Sequence, residues 1–234
     1  MPTLLALDAS SQACSAALLR RREGAEDELL SRFALAPRAH TRRLLPMVDE
    51  VLAEAGVAPT DLDGVAYGHG PGSFTGLRIA AGAAQGLAYG LERPLFGVST
   101  LAALALGAHR RHHFRWLVTA LDARMGEIYA AAWQCRDGLP EALTEEAVLA
   151  PERLRLPAGH DDHDWVGVGS GWGLWERMPA AVQAGLGQRL PDMEADAADM
   201  ALLAMRDLEA GLGQPAHLAQ PVYLRNEVAW KKAR

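Results

Sequence analysis

Apolar residues along this chain fall into short runs broken by polar or glycine-bearing punctuation, and in places the spacing switches to that of a helix. Thr3–Asp8 and Ala13–Leu19 read as strands joined by the hairpin-like turn Ala9-Ser10-Ser11-Gln12, and Glu28–Leu35 reads as a third strand. Across His40–Ala55 the apolar residues Leu44, Val48, Val51, Leu52 and Ala55 recur at helical spacing. Leu45 and Met47 widen that face, and Gly56 closes the helix. Pro46 lacks the amide that an interior position needs, so the pattern predicts a helix that begins near Arg42 or kinks there. Leu62–Gly68 is a fourth strand, followed by a glycine-rich loop and a helix over Gly76–Leu91. Leu95–Val98 reads as a strand, and Ser99 caps a helix that runs through Ala108.

The second half repeats the theme in pattern rather than in letters. Trp116–Leu121, Glu127–Gln134 and Thr144–Leu149 read as strands, Pro151–Leu156 as a short helix, Trp165–Gly169 as a strand and Asp196–Gly211 as a helix. A βββαβα unit therefore occurs twice, with the join near residues 100–114. Strands alternating with helices predict an α/β architecture with partly parallel sheets.

The segment Tyr67–Leu91, YGHGPGSFTGLRIAAGAAQGLAYGL, carries the strongest local signal. Gly82, Gly86 and Gly90 stand four apart and share one helix face. Each costs about 1 kcal/mol against alanine, so three in register need a reason. A side-chain-free groove admits another backbone, which points to close helix-on-helix packing. The loop Gly70-Pro71-Gly72-Ser73-Phe74-Thr75-Gly76 reads equally as an anion cradle at a helix start or as a tight turn capped by Ser73 or Thr75.

Composition narrows the chemistry. The chain has 234 residues, half of them hydrophobic, and a formal charge of −6, which argues against a protein that grips a nucleic acid backbone unaided. Lys231 and Lys232 are the only lysines, so neither a P-loop nor a Schiff-base lysine in the core is available. Cys14 and Cys135 stand far apart in apolar runs and read as buried thiols of a cytosolic protein. Met1-Pro2-Thr3 leads directly into a strand without the basic start of a signal peptide, and no apolar run approaches membrane-spanning length.

Four groups are candidates for chemistry. His109 and His113, at i and i+4, have metal-ligand spacing but lie at a fraying helix end among arginines. His160-Asp161-Asp162-His163-Asp164 is ligand-rich but sits in a polar stretch that reads as a solvated turn. Asp8 follows an apolar strand where actin-like ATPases hold a metal-binding aspartate, and Asp122 occupies the comparable point of the second half. Both are readable as catalytic carboxylates or as hydrogen-bonded turn residues. A nucleophile elbow is excluded because Gly72 and Gly76 bracket Phe74 rather than serine. Trp165, Trp172, Trp175 and Trp230 read as core or interface anchors.

The letters LALDASSQACSAALL, HTRRLLPMVDEVLAEAG, GHGPGSFTGLRIAAGAAQGLAYGLERPLFGVSTLAALA and LDARMGEIYAA closely resemble the TsaB (YeaZ) family. The match is strong over residues 4–132, and beyond residue 135 it thins to GVGSGW and PVYLR. This resemblance implies two actin-like subdomains, expected at residues 1–104 and 105–224 with a tail over 225–234. It also implies a part in forming N6-threonylcarbamoyladenosine at position 37 of tRNAs that read codons starting with A. In that pathway a separate synthase makes threonylcarbamoyl-adenylate, and the paralogue TsaD transfers the carbamoyl group with TsaB and the small ATPase TsaE.

The catalytic paralogue carries a V-N-H-x-x-x-H stretch whose histidines bind metal, and here the aligned positions are Thr100 and Leu104. A hydroxyl and an aliphatic chain cannot build that site. The expectation is a cytoplasmic, non-catalytic scaffold without metal or cofactor that meets tRNA only through the complex. Its face for TsaD is expected at Leu44, Leu45, Val48, Val51, Leu52, Leu77, Gly82, Ala83, Gly86, Leu87 and Gly90, with a homodimer through the same face when TsaD is absent. The rivals are an ATPase or transferase acting through Asp8 and Asp122, and an endopeptidase, for which nucleophile, base and metal are all missing.

Overall fold

Strand β1 (Thr3–Asp8) is buried along its whole length, and a strand apolar on both faces needs a packed layer on each side. It pairs antiparallel with β2 (Ala13–Arg20), Leu5 opposite Leu18, and parallel with β4 (Gly64–Gly70), Leu5 opposite Val65. β3 (Glu28–Leu35) joins β2 antiparallel and β5 (Leu95–Ser99) joins β4 parallel, so the first sheet has the order β3-β2-β1-β4-β5. The computed structural model describes residues 1–159 and 164–225.

Period-two alternation divides the first sheet into two faces. On the outer face Leu5, Leu7, Val65 and Tyr67 pack with Leu44, Val48 and Val51 of α1 (His40–Ala55) and with Ala81, Ala84 and Ala88 of α2 (Phe74–Gly90). On the inner face Leu4, Ala6, Ala17, Leu19 and Ala66 share a core with α3 (Thr100–His112) and α5 (Ala197–Glu209). The second sheet contains β6 (Trp116–Arg124), β7 (Glu127–Arg136), β8 (Leu139–Ala142), β9 (Ala147–Leu149), β10 (Trp165–Val168) and β11 (Leu186–Leu190). Its order is β11-β10-β6-β7-β8, with β9 also paired to β7. Leu117, Leu121, Ala131 and Trp133 face the same helix layer. The far face packs Val118, Ala120 and Ile128 against Trp165, Trp172 and Met178, and the indole of Trp172 donates to Val118 O at 3.1 Å.

The two halves exchange their last helices. α3, which follows the first sheet in the chain, lies against β6, β7 and β8 of the second, while α5 returns to β1, β2, β4 and β5 of the first. Asp199 of α5 ties the pair together: it is 1% exposed and accepts from Arg110 Nη1 at 2.5 Å and Arg111 Nη2 at 3.0 Å. Gly107 makes room for this clamp, since a Cβ there would stand 2.5 Å from Asp199 Oδ2. The chain then returns along α2. Leu95 and Gln214 exchange backbone hydrogen bonds, and the Gln85 amide donates to Ala216 O and Ala219 O.

The α/β class and the two sheets agree with the sequence reading, but the second half does not repeat βββαβα element for element, and several details differ. α1 runs unbroken from His40 with Pro46 inside it; Pro46 and Arg42, whose carbonyl loses its intrahelical donor, both lie on the exposed side of the helix. α2 starts at Phe74 rather than Gly76. The strand expected over Thr144–Leu149 is confined to β9, Ala147–Leu149, β8 precedes it over Leu139–Ala142 outside any expected strand, and the helix expected at Pro151 is a single 3-10 turn, Pro151–Arg153. The 3-10 segment Ser170–Arg177, the short helix α4 (Ala180–Gly185) and β11 have no counterpart in the sequence reading. Among the described residues no helix is long and apolar enough to cross a membrane.

Leu104, fully buried in the shared layer, reports on this packing. Leu104→Ala is expected to lower unfolding free energy by about 3 kcal/mol in urea titration, within the usual range for a buried leucine. A loss below about 1 kcal/mol would mean that the two sheets do not share one core at that point.

Candidate partner-binding face and a sealed carboxylate

The glycine-rich loop is a packing device. Ser73 caps α2, its Oγ accepting from Gly76 N at 3.4 Å, and its own N–H donates to Ser10 O at 2.6 Å. The β1–β2 turn presses directly on the loop: a Cβ on Gly76 would lie 1.8 Å from Ala9 O, and one on Gly72 2.4 Å from Ser10 O. Of the two readings of this loop, the geometry is that of the tight turn, with amides of Ser73 and Gly76 already committed within the chain.

Beneath the loop Asp8 is fully buried. Its carboxylate accepts from Ser10 N and Ser10 Oγ, each at 3.1 Å. Gly68 leaves the room it occupies, for a Cβ there would fall 2.2 Å from Asp8 Oδ1 and 3.0 Å from Met200 Cε. The start of α5 closes the inner side, where Ala197 N donates to Ser15 Oγ at 2.9 Å. Burial pushes the Asp8 pKa up to about 7, against the opposing effect of the Ser10 bonds. Asp122 stands in a different environment. It is exposed on β6, accepts from Arg124 N at 2.8 Å and Arg124 Nη1 at 3.2 Å, and its N–H donates to Ser170 Oγ. One carboxylate is sealed and the other is a turn residue in water, so they do not share an open site.

The other candidates are also accounted for. Thr100 and Leu104 are both fully buried, and Leu104 Cδ1 stands 3.3 Å from where a Gly169 Cβ would be. His109 Nδ1 bonds Phe114 O at 2.8 Å, and His113 is the left-handed cap beyond α3, so the two are not on one helical face. Among the described residues no group of three or more His, Cys, Asp or Glu side chains has metal-binding geometry. His160–His163 lie outside the described residues, as does Trp230. Cys14 and Cys135 are buried free thiols.

The outer face of α1 and α2 divides the residues nominated for a partner. Leu44, Val48, Val51, Leu52 and Leu77 are buried in the chain's own core, because the helical apolar stripe is what fastens each helix to the sheet. They are unavailable to a partner. Leu45, 49% exposed, and the exposed glycines remain, with Ala83 and Leu87 partly buried beside them. A Cβ on Gly82, Gly86 or Gly90 would meet nothing within 4 Å. Sequence reasoning missed the aromatic flank of this strip: Phe74, 56% exposed, lies 3.8 Å under the Arg78 guanidinium and 5.5 Å from the Tyr223 ring, and Tyr89 is 74% exposed. Phe74 and Tyr223 lie far apart in sequence, and no local spacing pairs them.

The two kinds of glycine separate by mutation. Gly76→Ala is expected to cost more than about 3 kcal/mol, since backbone must move, whereas Gly86→Ala should stabilise by about 1 kcal/mol. Equal effects in thermal denaturation would overturn the distinction. Asp8 gives a pH signature. Its folded pKa lies above the ordinary aspartate value of 3.8, so its contribution to stability is complete below about pH 4 and lost as pH rises through about 7. The slope is at most roughly 1.4 kcal/mol per pH unit, and Asp8→Asn should abolish it. An unchanged slope in the variant would place the titration elsewhere.

Residues 34–233 match the family model described as TsaD: tRNA N6-adenosine threonylcarbamoyltransferase. The chain is 43% identical to the tRNA threonylcarbamoyladenosine biosynthesis protein TsaB of Escherichia coli K12, over 98% of this chain and 97% of that one. It is 39% identical to the protein of the same name from Haemophilus influenzae, over 98% and 96% of the two chains. The solved structure of YeaZ from Pseudomonas aeruginosa is 45% identical and superposes with a TM-score of 0.88, covering 96% of this chain and all of that one. With the fold, the loop letters and near-complete coverage in agreement, the chain belongs to the TsaB family.

Proposed function

We propose that this chain is a cytoplasmic, non-catalytic subunit of threonylcarbamoyladenosine synthesis on tRNA, docking a TsaD-type transferase through the outer face of α1 and α2. The observation that carries the reading is the exposed strip of Gly82, Gly86 and Gly90, which none of the described residues covers. Mid-helix glycines against solvent destabilise α2 without return unless a second helix packs there. Leu45, Ala83 and Leu87 border the strip on the α1 side and supply apolar area for the contact.

The interior supports the non-catalytic part of the proposal. The two positions aligned with the paralogue's metal-binding histidines, Thr100 and Leu104, are buried in packed core. Asp8 has no solvent path, which disfavours the ATPase reading through Asp8 and Asp122. In this scheme TsaD carries the transfer chemistry, a TsaE-type ATPase joins the pair, and tRNA is met by the complex. Alone, the chain covers the same face by forming a two-fold homodimer.

Gly86→Leu tests the proposal. Leucine raises helix propensity and meets no neighbour, so the variant should melt at or slightly above the wild-type temperature. Its affinity for the TsaD partner should fall more than about tenfold, the homodimer should weaken, and reconstituted tRNA modification should fall in step. A folded variant that binds TsaD with wild-type affinity would place the interface on another surface.

A further inference from the structure

Beyond the docking face, residues 221–225 make a set of contacts that the function above does not use. Val222 N–H donates to His69 O at 2.8 Å, at the end of β4. Gly70 is held at φ +118° directly under this crossing, where a Cβ would stand 2.8 Å from Val222 O. One residue on, Tyr223 OH accepts from Arg78 Nε at 3.2 Å, and its ring lies against Phe74 in the first turn of α2. Two residues further, the Arg225 guanidinium reaches the β6–β7 turn of the other sheet. It donates to Ala123 O at 3.1 Å, to the Glu127 carboxylate, and through Nη1 to Met125 Sδ at 3.3 Å. Within four residues the chain passes from one sheet to the other.

From this geometry we infer that residues 222–225 are a clasp that locks the β6–β7 turn of the second sheet to β4 and the first turn of α2. It joins the end of β4, beside the Gly68 that accommodates Asp8, to the turn that follows Asp122. The anchors differ in kind. At the first sheet they are one backbone bond, the Arg78–Tyr223 hydrogen bond and an aromatic contact, while at the second Arg225 Nη2 makes charge-assisted bonds to both a carbonyl and a carboxylate. Arg124 and Met125 both hold positive φ, so the turn that Arg225 grips has a backbone shape that few side chains adopt freely. The Arg225 fork holds this turn and the strap together. Because the clasp ends on α2, it couples the orientation of the second sheet to the helix that carries the glycine strip.

Hydrogen exchange on the full chain distinguishes a clasp from a surface ion pair. In Arg225→Ala, amides of residues 123–127 should exchange about tenfold faster, and so should Val222 and the segment 69–78 on the far side of the strap. The amides of β1 and β2 should keep their wild-type protection. Arg225→Lys, which keeps a charge for Glu127 but loses the fork on Ala123 O, should show the same spread at smaller amplitude. It is the variant to read if Arg225→Ala unfolds globally. Faster exchange confined to residues 123–127 in both variants would overturn the clasp, because an isolated ion pair predicts that pattern. Unchanged exchange throughout would overturn it equally.

Discussion

The whole arrangement depends on burying a strand that is apolar on both faces. β1 sits third of five in its sheet, and each face of that sheet has to be covered by helices from elsewhere in the chain. α1 and α2 cover the outer face and, having spent one side each on the sheet, present the other to solvent. The inner face is covered by α5, the last α-helix among the described residues, which commits the second half of the molecule to fold back on the first. The buried Asp199 clamp then sets α5 against α3 between the two sheets. A buried acid is costly unless paired, and the two half-exposed arginines, Arg110 and Arg111, supply that pairing.

The same layer seals the carboxylate at the end of β1. An enzyme built on this plan needs its acidic groups to face one solvent-filled cleft. In this chain the glycine loop lies on the β1–β2 turn from one side and α5 closes the other, so Asp8 is a packed core group with a raised pKa. Asp122 organises the β6–β7 turn instead.

Strong periodicity was legible and weak periodicity was not. The central strands of the first sheet follow from short apolar runs, and the two outer helices from helical spacing and the Ser73 cap of α2, because each helix has one committed apolar face. β11, with Gly187, Gln188 and Arg189 exposed at its centre, is an edge strand held by backbone pairing to β10, and no side-chain pattern announces it. The Ser170–Arg177 turns carry tryptophans that sequence reasoning assigned to the core or an interface, which the burial of Trp172 bears out, but their 3-10 path is not visible in spacing. For the outer face, the glycine spacing located the strip. Helical spacing marked Leu44, Val48, Val51 and Leu52 as one stripe, and that stripe went to the sheet rather than to a partner, leaving Leu45 exposed beside it. The aromatic flank was out of reach because Tyr223 arrives from the end of the chain.

The central claim, that this chain contributes a surface and not a reacting group, is tested most directly by a reconstituted modification assay. The Asp8→Asn/Asp122→Asn double variant would replace the wild-type chain beside the TsaD partner, the TsaE-type ATPase and a source of threonylcarbamoyl-adenylate, and threonylcarbamoyladenosine on tRNA would be quantified. The account predicts a wild-type rate with the double variant and no product when the chain is omitted. A folded double variant that binds TsaD normally yet yields no product would contradict it and assign chemistry to this subunit.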